Sequence, residues 1–226
     1  MPIPQYPLYS ALTTVLNGNL VPYYLDESNG WSLSVSDLSE NLQRANNQGI
    51  AVRGLVVINP GNPTGQTLTK ENMQEIAQFC ANNGLVLCAD EVYQENIWNP
   101  SRPFHSFRKV AYEMGFTPEN KKLQLVSFHS CSKGFLGECG LRGGYMETHG
   151  FDADVMAQFV KQASISLCSN TIGQITTGLM VRPPARGEPS YEQYENEKNA
   201  ILASLKRRAL KMVAAFTSLE GVTCNN

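Results

Sequence analysis

The chain has 226 residues, with 18 Lys and Arg against 20 Asp and Glu and 42% hydrophobic residues. That composition suits a soluble globular protein with one sizeable core, and the scattered Lys and Arg, clustered only at Lys206-Arg207-Arg208, exclude a basic nucleic-acid surface. No run of about 18 apolar residues exists to span a bilayer.

Met1 is followed by Pro2-Ile3-Pro4-Gln5-Tyr6-Pro7, which lacks the basic start and apolar centre of a signal peptide and reads as the end of a strand. Residues 20–25 predict another strand, and residues 38–45 a short helix introduced by Ser34 or Ser36. Three later segments, 54–60, 85–90 and 123–130, share one form: an apolar, β-branched run ending in polar residues and turn formers. Between the first two, Met73, Ile76, Ala77 and Cys80 recur at helical spacing over residues 69–83, and Gly84 supplies a stop. Strand, helix, strand predicts parallel pairing, and runs apolar throughout predict a sheet covered on both faces. The fold class is therefore α/β, a mostly parallel sheet with helices on both faces. Farther on, Ser190-Tyr191-Glu192-Gln193 matches a capping box and opens a long helix. Its stripe of Ile201, Leu205, Ala209, Met212 and Phe216 predicts core or interdomain packing. Past Gly221, Val222-Thr223-Cys224 alternates like the start of a strand with nothing to pair against, so the chain is expected to be truncated. The six cysteines show no CxxC spacing and sit mostly among apolar residues. Reduced thiols in an intracellular compartment are expected, with a structural disulfide as the alternative.

In open parallel sheets ligands sit beyond the carboxyl ends of the strands, where three polar clusters fall. Asn59-Pro60-Gly61-Asn62-Pro63-Thr64-Gly65 is a tight turn that, taken alone, needs no function. Asp90-Glu91-Val92-Tyr93 ends an apolar strand, so Asp90 needs a cation or several donors, in a site or in a structural salt bridge. Ser130-Cys131-Ser132-Lys133-Gly134 continues to Arg142-Gly143-Gly144-Tyr145. A lysine there can lose its proton by desolvation or beside other cations and form a Schiff base, and hydroxyls with an arginine suit a phosphate. The alternative is a surface lysine beside an ordinary Gly-Gly turn. Neither GxxxxGK[ST] nor GxGxxG occurs.

Together, NPGNPTG, ADEVY and SxSK-G-x7-R-x-G resemble the fold-type I, class I aminotransferases in order and spacing. PIPQYPLYSA, VINPGNPTGQ, DEVYQEN and SKGFLGECGLRGGY are similar to the alanine aminotransferase branch, which includes glutamate:glyoxylate aminotransferases. The resemblance implies pyridoxal 5'-phosphate as cofactor, with Lys133 as its covalent anchor and the catalytic proton carrier. It implies that Asp90 pairs with the protonated pyridine nitrogen and that Tyr93 and Asn62 bond the phenolic oxygen, Asn62 also lying near the substrate carboxylate. Ser130 and Arg142 would hold the phosphate with help from Ser132, and Tyr6 would stack on the ring.

The implied reaction moves an amino group between L-alanine and 2-oxoglutarate in two half-reactions, giving pyruvate and L-glutamate. Glyoxylate as acceptor, another reaction on the same cofactor such as β-elimination, and a non-catalytic fold relative are the alternatives. Amino acids and 2-oxo acids are the expected partners, with a homodimer and neither nucleic acid nor membrane. The expected location is intracellular and cytoplasmic, with mitochondrion or peroxisome open. By the same resemblance residues 1–188 are part of a large cofactor-binding domain, 189–217 an interdomain helix, and 218–226 the start of a small domain. The family's glycine-rich phosphate loop and its carboxylate-binding arginine match nothing between Met1 and Asn226, so the isolated chain is expected to transaminate poorly.

Overall fold

The structure is a computed structural model and describes residues 1–224. Strand β1 (Pro2–Ile3) leads through Tyr6 into helix α1 (Leu8–Val15), and β2 (Tyr23–Tyr24) returns to pair in parallel with β1. The strand predicted over residues 20–25 is thus cut to two residues. Pro22 has no N–H to begin a ladder and Pro4 none to continue it on the other side.

Helix α2 (Val35–Asn47) starts where Ser34 Oγ accepts the Asp37 N–H at 3.3 Å, while Ser36 bonds only to the Ser34 hydroxyl. Strand β3 (Gly54–Ile58), helix α3 (Lys70–Asn83) and strand β4 (Val86–Asp90) follow as predicted. Thr69 caps α3 through the Asn72 N–H, and Gly84 ends it at φ +63°, a conformation that costs glycine nothing. Met73, Ile76, Ala77 and Cys80 are wholly buried. This predicted face is the centre of the core, beside Leu87, Phe107, Val110, Leu123 and Leu125.

After helix α4 (Phe107–Glu113), strand β5 (Leu125–Ser130) joins the sheet, and β6 (Gly144–His149) closes it. The order is β3-β4-β5-β6, parallel except for the antiparallel β5–β6 pair. Val56 and Val57 point to opposite faces and both are buried, so both faces of β3 are covered. No apolar run announces β6. Its first four residues are exposed, as suits an edge strand.

Helices α5 (Ala153–Ser164), α6 (Thr171–Val181) and α7 (Tyr191–Thr217) complete the described chain. Two expectations fail here. Ser190 has helical dihedrals and its side chain caps nothing, so α7 is not opened by a capping box. Val222, Thr223 and Cys224 form no strand. Of the two alternatives for the α7 stripe, the core one is ruled out and interdomain packing is left. Leu205 and Ala209 are half-buried, but Ile201, Met212 and Phe216 are 42–56% exposed.

Glu91, the first residue after β4, is 6% exposed and accepts the Phe107 N–H at 2.7 Å, tying the start of α4 to the strand end that carries Asp90. Burial pushes its carboxyl from 4.5 up to about 7, with Glu147 and Asp90 adding repulsion. Because the folded value is raised, the folded chain holds a proton that the unfolded chain has released. The associated stability is complete below about pH 4.5 and lost as pH rises through about 7. Urea unfolding is therefore expected to lose up to about 3 kcal/mol over that interval. Glu91→Gln, which still accepts the Phe107 N–H, should remove this slope, and an identical slope in the variant would discard the assignment.

Candidate active site

All three clusters lie at the carboxyl ends of β3, β4 and β5, held by backbone bonds between neighbouring strands. The Asn59 N–H donates to the Asp90 carbonyl at 2.9 Å, and the Glu91 N–H to the Phe128 carbonyl at 3.1 Å. Asn59 itself is buried, and its Oδ1 accepts the Leu68 N–H at 3.0 Å. This fixes the return of the 59–65 turn, which Gly61 N–H to Gln66 O and Gly65 N–H to Gly61 O close. Asn62 thereby faces a cavity of about 710 Å³ that Tyr93, Trp31, Trp98 and Arg102 also line.

Asp90 is half-buried and meets a donor that the sequence did not single out. The Tyr9 hydroxyl, on α1, donates to its Oδ2 at 2.6 Å. Burial and the Asp90 charge both raise the Tyr9 pKa above that of an ordinary phenol, so Tyr9 remains a donor. Nothing in the local spacing of Gln5-Tyr6-Pro7-Leu8-Tyr9 signals a bond that spans 81 residues. Tyr6 lies before α1, 41% exposed.

The third cluster folds as a loop pinned at its base. Ser130 pairs with Gly144 across β5 and β6, the Cys131 N–H donates to the Gly143 carbonyl at 3.1 Å, and the Glu138 N–H to the Cys131 carbonyl at 2.9 Å. Ser130 Oγ accepts the Ser132 N–H at 3.2 Å. Lys133 is exposed, contrary to the expectation of a desolvated lysine. It lines a separate cavity of about 280 Å³ with His129, Tyr145 and Lys198. Lys198, on α7, spans the two loops by pairing with Glu95 at 3.4 Å and lying 5.2 Å from the Phe135 ring centroid. Arg142 is exposed and donates to the Cys139 carbonyl at 2.8 Å, turned toward its own loop.

The structure therefore joins Asp90 to Tyr9, Asn62 to Tyr93 through a shared cavity, and Ser130 to Ser132 and the Arg142–Gly144 backbone. It shows no bond from the Lys133 amine to any of them. As a donor set these groups fit pyridoxal 5'-phosphate. A carboxylate held by a phenol suits a protonated ring nitrogen, an amide and a phenol suit a phenolic oxygen, and hydroxyls with an arginine suit a phosphate. A lysine amine can condense with an aldehyde.

Residues 1–225 match the family described as aminotransferase class I and II. Mitochondrial alanine aminotransferase 1 of Arabidopsis thaliana is 57% identical over 224 residues, 99% of this chain and 41% of that protein. Glutamate–glyoxylate aminotransferase 1 of the same plant is 53% identical over 225 residues, all of this chain and 47% of that protein. The chain thus spans less than half the length of these relatives. Among solved structures, an alanine aminotransferase from Pyrococcus furiosus superposes with a TM-score of 0.76 at 20% identity, over 99% of this chain and 50% of that one. A putative aminotransferase from Clostridium difficile, solved with pyridoxal phosphate bound, gives 0.69 at 16% identity, over 96% and 51%. At those identities the two structures speak for the fold.

Proposed function

Because the chain belongs to the class I and II aminotransferases, we propose that the protein carrying it transfers the amino group of L-alanine to 2-oxoglutarate, giving pyruvate and L-glutamate. The observation that carries this reading is the 57% identity to an alanine aminotransferase across 99% of the chain. Bound pyridoxal 5'-phosphate supplies an electron sink for negative charge developing at the substrate Cα. Lys133 anchors the cofactor and then takes and returns the Cα proton. Asp90, steadied by Tyr9, keeps an anion beside the ring nitrogen. Asn62 and Tyr93 orient the phenolic oxygen, with Asn62 also beside the substrate carboxylate. Ser130, Ser132 and Arg142 hold the phosphate, and Tyr6 stacks on the ring.

In this reading residues 1–188 are part of the cofactor-binding domain, 189–217 an interdomain helix, and 218–226 the start of a second domain. The greater length of the relatives and the unburied α7 support that division. A homodimer accounts for the exposed Ile172, Ile175 and Leu179 of α6. Among the described residues no helix is long and apolar enough to cross a membrane. The mitochondrial names of relatives favour a mitochondrial form beside the expected cytoplasmic one. A second acceptor, glyoxylate, is favoured by the 53% identity to a glutamate–glyoxylate aminotransferase.

The test is pyruvate release by the complete protein from alanine, with 2-oxoglutarate or glyoxylate as acceptor. Turnover with either supports transamination, and their kcat/KM ratio decides between the two readings. Absence of pyruvate with both would remove the proposal. In the same assay Tyr9→Phe is expected to lower kcat about tenfold, the worth of one hydrogen bond to a charged group, with KM little changed. An unchanged kcat would make the Tyr9–Asp90 bond merely structural.

A further inference from the structure

We propose that the first turn of α6, through Asn170 and Gly173, is a positioning device for Arg142, an inference that rests on the reading of Arg142 as a phosphate ligand. The starting observation is backbone strain. Arg142 stands at φ +55°, ψ +54°, a left-handed conformation that a non-glycine residue keeps only when its surroundings hold it there.

Both flanks are held. On the sheet side, the Gly143 carbonyl accepts the Cys131 N–H at 3.1 Å and lies 3.2 Å from the Cys131 thiol. On the other, the Asn170 side chain donates from Nδ2 to the Leu141 carbonyl at 2.8 Å while its Oδ1 accepts the Ile172 N–H at 3.2 Å. One amide thus caps α6 and ties it to the peptide before Arg142.

Gly173 makes the approach possible. A Cβ there would overlap the Arg142 carbonyl oxygen and stand 2.9 Å from that of Leu141. A Cβ at Gly143 would in turn overlap the Gly173 carbonyl, so two backbones meet where only glycines fit. Releasing the α6 side lets Arg142 relax toward an ordinary conformation, which changes the direction in which its side chain leaves the backbone. Asn170 and Gly173 act through Arg142, and neither is a catalytic residue.

The experiment titrates the cofactor-free complete protein with pyridoxal 5'-phosphate and, separately, with pyridoxal, which has the same ring and aldehyde but no phosphate. Asn170→Ser keeps a residue that caps helices well but loses the donor to Leu141. Its affinity for pyridoxal 5'-phosphate is expected to fall about tenfold while that for pyridoxal stays unchanged, so the preference for the phosphorylated form shrinks. Gly173→Ala should reduce that preference further wherever it folds, and Asn170→Ser carries the test if it does not. Arg142→Met provides the reference for full loss. If Arg142→Met loses the preference and Asn170→Ser keeps it, or if Asn170→Ser weakens both ligands equally, the inference is overturned and the phosphate reading of Arg142 stands. If Arg142→Met keeps the preference, both are overturned together.

Discussion

Replacing Lys133 by alanine in the complete protein is expected to lower kcat/KM by about 10⁴-fold or more, the largest loss that any single substitution here should cause. Two functions leave at once. On the proposed reading the amine would be both the covalent anchor of the cofactor and the group that takes and returns the Cα proton. General acid–base action alone is worth about 10²–10⁴ in rate. Because Lys133 is exposed and makes no side-chain bond among the described residues, its loss should leave the fold intact. Thermal unfolding of the cofactor-free protein should therefore be unchanged while turnover collapses, and a small primary amine added to the variant should restore part of it. Substantial residual turnover without added amine would point to another lysine.

Asp90→Asn is expected to lower kcat/KM about 10²–10³-fold, the cost of breaking a partly buried charge pair. The structure sharpens this prediction. An asparagine Oδ1 can still accept the Tyr9 hydroxyl bond now made to Asp90, so the contact between α1 and β4 survives while the charge and the long 3.4 Å bond from the Val92 N–H are lost. The loss should fall on kcat, with KM nearly constant, because the anion acts mainly on the charge that develops during the reaction. Near-normal turnover would leave Asp90 with a purely structural part.

What could be read in advance was whatever leaves a local pattern. Strands β3, β4 and β5 are apolar runs and α3 carries a complete apolar face with both caps, so their sequences specify them without reference to distant residues. Asp90 stands out because a carboxylate at the end of a buried strand needs a partner, whereas Asn62, Tyr93 and Lys133 were singled out by the resemblance that the three clusters carry together. The misses share a different cause. Strand β6 is an exposed edge that borrows its order from β5, and its residues alternate too weakly to signal a strand. The expected cap at Ser190 had the right residues, but the chain enters α7 already in helical conformation, so the hydroxyl has no N–H to accept. Tyr9 and Asn170 act through single long-range bonds, across 81 and 29 residues respectively, which no local spacing encodes. Glu91 was read only as a neighbour of Asp90, although its burial against the start of α4 sets the strand end in place.

Whether Lys133 is the cofactor's covalent anchor can be tested chemically. The complete protein loaded with pyridoxal 5'-phosphate is reduced with borohydride, digested, and its peptides are mapped by mass. One phosphopyridoxyl label is expected, on Lys133 in the peptide that contains Ser132-Lys133-Gly134. A label on another lysine, or none after reduction of a fully loaded sample, would contradict it.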